Sequence, residues 1–423
     1  MQWYLFEVND RCYDYLFTIL SITRSMATKE DVSYSKGRIH DYLLVHSDIY
    51  KLLQEEQVEG WNSAALDWWY KRHVKPAPTV PVGDKRPRDE VEKVPGNTVF
   101  KSNTVELCER YRAHASKILP GANPALFKSQ LTQRGRNVGL TSATPLKPTK
   151  PTGQRFLDLG CAPGGVSAFL TQNCGWTGVG VSLSEEQGGI ELPPWTHAAS
   201  QQFSAVLDSI FSESLNSKIM GALELLNLPK EDSSFDFVNG GAVADFGQQS
   251  TEEVSPLERE FELAFFKKPV SHPKHLFVFA QLLIALKWVK PGGSIMLVIG
   301  LGEVGSLMML IHHLLPMFKT DTTVQLLETM HLMKPPVYVL ITGIYPTEES
   351  IGSLRTEIAT QQKPDYWLGT TDEAFEVSKL VWDLKLGRGG LSMGEQIERF
   401  WVKKRNLLAD RRKVAESQFS KLS

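Results

Sequence analysis

Alternating strands and helices dominate the middle of this 423-residue chain and restrict its fold more than any other feature. Apolar runs such as Phe156–Gly160 and Ser294–Ile299 have the length of buried strands, and helical segments separate them. This order predicts an α/β domain with a doubly wound, mostly parallel sheet. The segments TVQLLETMHL and PPVYVLITGIY are predicted to add a final antiparallel pair.

The rest of the chain is predicted to form helical attachments around this domain. Residues 1–74 carry apolar side chains at helical spacing, which predicts a helical N-terminal region. Residues 75–98 are rich in proline and charge and cannot bury enough apolar surface to fold, so they are predicted to be a flexible linker. Residues 99–345 then hold the α/β domain with its helical lead-in, and residues 346–423 a helical, basic C-terminal extension.

Composition and charge exclude several classes of protein. The net charge of -2 rules out a basic surface over the whole molecule but leaves room for a local basic patch. Four scattered cysteines without C-x-x-C spacing predict neither a disulfide framework nor a zinc site. The longest apolar stretch is interrupted by Gln281 and Lys287, so no membrane span is predicted. These features favour the cytoplasm or nucleus, and the run 85–88 is either an import signal or a solvated part of the linker.

The segment FLDLGCAPGG, residues 156–165, is the strongest functional signal. A parallel strand delivers the chain to the carboxyl edge of its sheet, where such folds bind ligands. Glycines after the strand permit a tight turn and a close approach of a ligand to the backbone. A phosphate-binding P-loop is excluded because no lysine follows Gly165, and the spacing fits the dinucleotide fingerprint G-x-G-x-x-G poorly.

Two segments, DLGCAPGG and the later LKWVKPGGSIMLVI, resemble motifs of FtsJ-like (ribosomal RNA methyltransferase J type) methyltransferases. The resemblance covers roughly residues 125–345. The resemblance implies a class I methyltransferase fold, S-adenosylmethionine (SAM) as cofactor and RNA as substrate. It places Asp158 near the amino group of SAM and Ser182 where the family has an acid for the ribose hydroxyls. An acid after the third strand usually contacts adenine, and alignment puts Ala222 there. The residues expected to line the methionine and ribose of SAM are Gly160, Cys161, Ala162, Pro163, Gly164 and Gly165. Cys161 is expected to pack rather than to act as a nucleophile.

The catalytic positions of this family are only partly matched. The family uses a Lys-Asp-Lys-Glu set to activate a ribose 2′-hydroxyl, and Lys128 is the candidate for its first lysine. The sequence has Asn-Gly-Gly from Asn239 where the aspartate is expected, Val298 where the second lysine is expected, and prolines at 335–336 in place of the glutamate. Asn239 and Asp245 are therefore the nearest polar candidates for orienting an acceptor.

Three functions follow from this pattern. The first is a SAM-dependent methyltransferase of FtsJ-like type that acts on RNA. The second is a methyltransferase-fold protein that binds without catalysing, and the third is a small-molecule methyltransferase. The basic segment from Arg399 to Lys421 is a candidate RNA contact, either through a basic face with stacking aromatics or as a solvated helix whose aromatics dock on the core. The helical extensions are candidates for binding a protein partner.

Overall fold

A computed structural model provides the structure of the chain. It describes residues 37–73, 97–123, 125–127, 153–184, 189–193, 195–198, 201–228, 234–242, 273–301, 304–330, 336–360, 364–367 and 371–421. Two of the candidate catalytic residues, Lys128 and Asp245, lie outside this description.

One seven-stranded sheet forms the centre of the fold, with the strand order β3-β2-β1-β4-β5-β7-β6. The strands β1 to β5 run parallel, and β7 runs antiparallel between β5 and β6. The predicted fold class is thereby confirmed, including the antiparallel final pair. The strands are β1 Arg155–Leu159, β2 Thr177–Ser182, β3 Phe203–Leu207, β4 Phe235–Gly240, β5 Val289–Gly300, β6 Phe318–Glu328 and β7 Pro336–Ile344.

Helices cover both faces of the sheet. The helices are α1 Gly37–His46, α2 Asp48–Trp61, α3 Ala64–His73, α4 Asn97–Ala122, α5 Gly165–Ala168, α6 Trp195–Ala198, α7 Leu215–Leu225, α8 Pro273–Trp288, α9 Val304–Leu314, α10 Glu348–Thr360, α11 Pro364–Trp367, α12 Asp372–Asp383 and α13 Met393–Phe419. A π-helical turn, Phe169–Asn173, continues α5. Among the described residues, no helix has the length and apolar character needed to cross a membrane.

The sheet has a different core on each face. On one face, alternate strand residues such as Leu157, Val179 and Val238 pack with α7, α8 and α9. On the other face an aromatic cluster that includes Phe156, Trp176 and Phe237 packs under α4 and α5. Burial on both faces explains the continuous apolar runs of the parallel strands.

The strand order reverses between β1 and β4, because β2 and β3 lie on one side of β1 whereas β4 and β5 lie on the other. In open α/β sheets, ligands bind at such a switch point, outside the carboxyl ends of the strands. The glycine segment that follows β1 lies at this place in the fold.

The C-terminal helix α13 packs against the N-terminal helices α2 and α3. Trp401 is buried, with its ring 4.6 Å from that of Tyr50 and 5.9 Å from that of Trp382. Arg412 forms ion pairs with Glu56 and Glu59 of α2. The terminal regions therefore share one helical bundle, although they are far apart in sequence.

These contacts alter the expectation for the basic segment. Trp401 is buried in the protein and is not available to stack on a base. Arg411 lies over the ring of Trp69, and Lys403 pairs with Glu328 of β6. The exposed side chains Arg399 and Lys413 keep an RNA contact along α13 as a prediction.

Truncating Trp401 should unfold this bundle more easily. Trp401→Ala leaves a large cavity between α2, α12 and α13, and loss of a buried tryptophan typically costs about 3–5 kcal/mol. Urea denaturation should show this decrease in the free energy of unfolding. The neighbouring exposed substitution Val402→Ala should change it by less than about 0.5 kcal/mol. Equal effects of the two substitutions would show that α13 does not pack as described.

Candidate functional site

The turn after β1 is built around Gly160. Its φ of +76° lies in the left-handed region, and the amides of Gly160 and Cys161 both donate to the carbonyl oxygen of Val181, at 2.8 and 2.9 Å. A Cβ on Gly160 would lie 2.3 Å from the Cα of Ala242, in the segment that follows β4. Glycine is required here because the segments after β1 and β4 touch through their backbones.

Gly164 and Gly165 are closely covered by other parts of the protein. Gly164 has a φ of +89°, and a Cβ there would lie 3.1 Å from the ring of Trp195. A Cβ on Gly165 would lie 2.3 Å from the Cβ of Tyr111 in α4. Packing against Trp195 and α4 therefore accounts for the absence of side chains at these two positions, and approach of a ligand is not needed to explain it.

The expectation that Cys161 packs rather than reacts is supported by its surroundings. A Cβ on Gly180 of β2 would lie 2.7 Å from the Cys161 sulfur, which shows how closely the thiol packs on that strand. Burial raises the pKa of the Cys161 thiol well above its ordinary value, so the reactive thiolate is disfavoured.

A buried carboxylate, Asp158, connects three elements at the switch point. Its Oδ2 accepts a hydrogen bond from the Ser167 hydroxyl of α5 at 2.5 Å. Its Oδ1 accepts one from the Asn239 amide of β4 at 2.7 Å. Asp158 and Asn239 are direct register partners on β1 and β4, so the bond bridges the point where the strand order reverses.

This network leaves negative charge and one acceptor without a matching donor. Burial raises the pKa of Asp158, and the bonds from Ser167 and Asn239 offset only part of that effect. Because the Asn239 amide nitrogen faces Asp158, its Oδ1 is the remaining acceptor, and this buried atom has no partner among the described residues. No described lysine or arginine pairs with Asp158. A ligand that brings a cationic donor would satisfy both residues.

The segment after β4 is fixed by Gln281 of α8. Gln281 donates to the carbonyl oxygen of Ala242 and accepts from its amide, both at 2.9 Å. A Cβ on the preceding Gly241 would lie 2.7 Å from the amide nitrogen of Asn239. The Asn239–Asp158 bond thus occupies the space that an acidic side chain at position 241 would need.

The end of β5 and the start of β7 supply no proton acceptor at the places where the family has its second lysine and its glutamate. Val298 pairs with Tyr338, and Gly300 pairs with Pro336. None of these four side chains carries a carboxylate or an amine. The sequence indicates that the second lysine and the glutamate of the Lys-Asp-Lys-Glu pattern are missing. In the structure, their positions lie at the carboxyl edge of β5 and the start of β7.

The acid after the third strand is Asp208, which sequence reasoning missed. Ala222 lies in α7 and does not follow a strand, so its assignment to the adenine position was wrong. Asp208 follows β3 directly, accepts a hydrogen bond from the Ser209 amide at 2.9 Å and pairs with Lys218 at 2.8 Å. Burial alone would raise the pKa of Asp208, but bonds from Lys218, Ser212 and Ser209 outweigh it, so the pKa is lowered and the carboxylate stays charged.

Ser182 ends β2 beside this acid. Its side chain is buried, and its carbonyl oxygen accepts a hydrogen bond from the Asp208 amide at 2.8 Å. The carboxyl ends of β1, β2, β3 and β4 thus present Asp158, Ser182, Asp208 and Asn239 along one edge of the sheet. In the described part of the chain, no group of three or more His, Cys, Asp or Glu residues could hold a metal ion.

Comparison with known proteins assigns part of the chain to a family. Residues 143–324 match the model of the FtsJ-like methyltransferase family. These residues form an FtsJ-like methyltransferase domain. The methyl donor of such a domain is SAM. No curated protein sequence matches the chain.

Three of the solved structures that are similar to part of this chain are as follows. A Plasmodium falciparum protein, provisionally named a ribosomal RNA methyltransferase, is 15% identical with a TM-score of 0.30, over 55% of this chain and 97% of that chain. An rRNA methylase from Streptococcus thermophilus is 11% identical with a TM-score of 0.25, over 45% and 87%. A Streptococcus mutans protein, provisionally named a methyltransferase and complexed with SAH, is 11% identical with a TM-score of 0.28, over 47% and 93%.

Adding one methyl group at Gly160 should destabilise the domain strongly. Gly160→Ala combines a left-handed backbone with a collision against the Ala242 backbone, and we expect a loss of about 2–5 kcal/mol from strain and overpacking together. Gly153→Ala is the matched control, because Gly153 has a φ of +78° but open space around its Cβ position. It should cost only about 1–2 kcal/mol. Denaturation curves that coincide for the two variants would contradict the close approach at Gly160.

The raised pKa of Asp158 predicts a specific pH dependence of stability. The folded chain keeps the Asp158 proton at pH values where the unfolded chain has released it, so stability falls as the pH rises from about 4 toward the raised folded pKa. The side chain of Asp158→Asn cannot ionise, so the variant does not lose this stability. The free energy of unfolding of the variant minus that of the wild type should therefore increase by up to about 1.4 kcal/mol per pH unit in that range.

Urea denaturation between pH 4 and pH 7 at about one-unit steps measures this difference. The exposed Asp410→Asn on α13 should follow the wild-type curve throughout. Parallel curves for Asp158→Asn and the wild type would show that Asp158 ionises normally.

Proposed function

We propose that the protein is a SAM-dependent methyltransferase that acts on RNA, with the ribose 2′-hydroxyl as the acceptor. The observation that carries the proposal is the buried Asp158 carboxylate beside the Asn239 Oδ1 inside a matched FtsJ-like domain. SAM supplies an ammonium group, which is the cationic donor that no described residue gives this pair, and a methyl group bound to a positively charged sulfur.

Other residues at this edge suit the remaining parts of the cofactor. Asp208, held charged by Lys218, would accept a hydrogen bond from the adenine amine. Ser182 would bond a ribose hydroxyl, with a weaker interaction than the carboxylate found elsewhere in the family. Gly160 to Gly165 would lie along the methionine and ribose as the resemblance implies, with Tyr111 and Trp195 enclosing that segment.

RNA is the acceptor class implied by the resemblance to ribosomal RNA methyltransferase J type enzymes. The exposed Arg399 and Lys413 of α13 would contribute phosphate contacts, which require only a local basic surface. The departures at Gly241, Val298 and Pro336 mean that the acceptor proton cannot leave by the route usual in the family. A binding protein without activity is the second candidate, and the same departures favour it.

Calorimetry with SAM and S-adenosylhomocysteine tests the cofactor site. We expect both to bind the wild type, and Asp158→Asn to weaken SAM by about tenfold or more through loss of a charged hydrogen bond. Asp410→Asn should bind like the wild type. Failure of the wild type to bind either ligand would refute a SAM-dependent enzyme.

Radiolabelled methyl transfer then separates the functions. The wild type should label total RNA but not a metabolite extract, and digestion to nucleosides should place the label on ribose. Label on a base would contradict the 2′-hydroxyl acceptor. SAM binding without transfer to any acceptor would favour the inactive binding protein.

A further inference from the structure

A histidine on α4 faces the edge of the sheet where the family's proton acceptors are missing. His114 is half-buried, and its ring lies 6.2 Å from the ring of Tyr338, tilted by 41°. Tyr338 is the register partner of Val298, the position that lacks the expected lysine. One turn earlier on the same helix, Tyr111 packs against Gly165 in the glycine segment that follows β1.

The hydrogen bond of His114 fixes which ring nitrogen can accept a proton. Nε2 lies 2.7 Å from the main-chain oxygen of Glu328. A carbonyl oxygen can only accept, so Nε2 must carry the hydrogen of the neutral ring. The lone pair is therefore on Nδ1, which has no partner among the residues that the structure describes.

The surroundings keep this imidazole neutral. Burial lowers the pKa of His114, the bond to the Glu328 carbonyl opposes this effect, and Lys117 lowers the pKa further. The Glu328 carboxylate raises it, but that carboxylate is itself paired with Lys403 of α13. Among the described residues, Tyr338 is a further titratable group against the ring. Burial raises the pKa of Tyr338, and Tyr111 and Asp158 raise it further. The Tyr338 phenol is therefore uncharged at neutral pH and puts no negative charge against the ring.

We infer that His114 is the general base that takes the acceptor proton through Nδ1 in this domain. The inference rests on the proposed function. The acceptor O–H bond breaks and its proton passes to Nδ1, while an oxygen electron pair forms the new bond to the methyl carbon of SAM. The carbon–sulfur bond breaks with its pair left on sulfur, so the sulfonium becomes a neutral thioether. The proton on Nδ1 is then released to water.

The substitution His114→Gln separates this role from a structural one. Its side-chain amide can still donate to the Glu328 carbonyl, but it has no basic nitrogen. We expect kcat for methyl transfer to RNA to fall by about 10²-fold or more, the usual contribution of a general base. The affinity for SAM, measured by calorimetry, should stay within about threefold of the wild type because His114 is not assigned a cofactor contact. His46→Gln, an exposed histidine on α1, should match the wild type in both measurements.

Two further measurements test the role of His114: the pH dependence of kcat and the protonation of the imidazole ring by NMR. The wild-type kcat should rise with pH and level off above a pKa below the ordinary value of about 6.5, and His114→Gln should lack this limb. Nitrogen-15 NMR of labelled histidine, assigned by loss of the signal in His114→Gln, should show the neutral form with hydrogen on Nε2.

The possible results distinguish the role of His114 from the proposed function. Wild-type rates in His114→Gln, or an NMR spectrum with hydrogen on Nδ1, would overturn the role of His114 and leave the proposed function standing. Absence of methyl transfer by the wild type with SAM bound would overturn the proposed function and this role together. Loss of SAM binding in His114→Gln alone would assign His114 to the cofactor site and overturn its role as the base.

Discussion

The buried Asp158 carboxylate is the interaction on which the rest of the site depends. It joins the end of β1 to Ser167 on α5 and to Asn239 on β4, at the place where the strand order reverses. A buried carboxylate that accepts two hydrogen bonds but has no cationic partner in the described part of the chain is costly in the absence of a ligand. The same feature makes it a strong anchor for an ammonium group, so the architecture of the sheet and the proposed chemistry share one residue.

Close packing around the glycine segment follows from this junction. Gly160 lets the segments after β1 and β4 touch, and Gly165 lets α4 lie directly on the segment. Helix α4 extends from this glycine segment to Tyr338 and carries His114 beside that tyrosine. His114 therefore lies close to the carboxyl edge of β5 and the start of β7, where Val298 and Pro336 stand in place of the family's second lysine and glutamate.

The sequence predicts the strand–helix alternation, the antiparallel pair and the tight turn after β1 because buried parallel strands and a glycine-rich turn leave strong local patterns. Strand β3 escapes prediction because only Phe203 and Val206 of its five residues are buried, and Asp208 was missed with it. The bundle of α13 with α2 and α3 depends on contacts between residues more than 300 positions apart in sequence, such as Arg412 with Glu56. Local sequence patterns do not predict such contacts. The pairing of Asp158 with Asn239 likewise requires the register between β1 and β4.

A crystal structure of the protein with S-adenosylhomocysteine would show directly whether Asp158 anchors an ammonium group, because this ligand carries the amino group without the reactive methyl. We expect its amino nitrogen within hydrogen-bond distance of Asp158 or the Oδ1 of Asn239, with the adenine beside Asp208. An amino group directed away from both residues, with Asp158 still bonded only to Ser167 and Asn239, would show that the buried carboxylate is a structural junction alone.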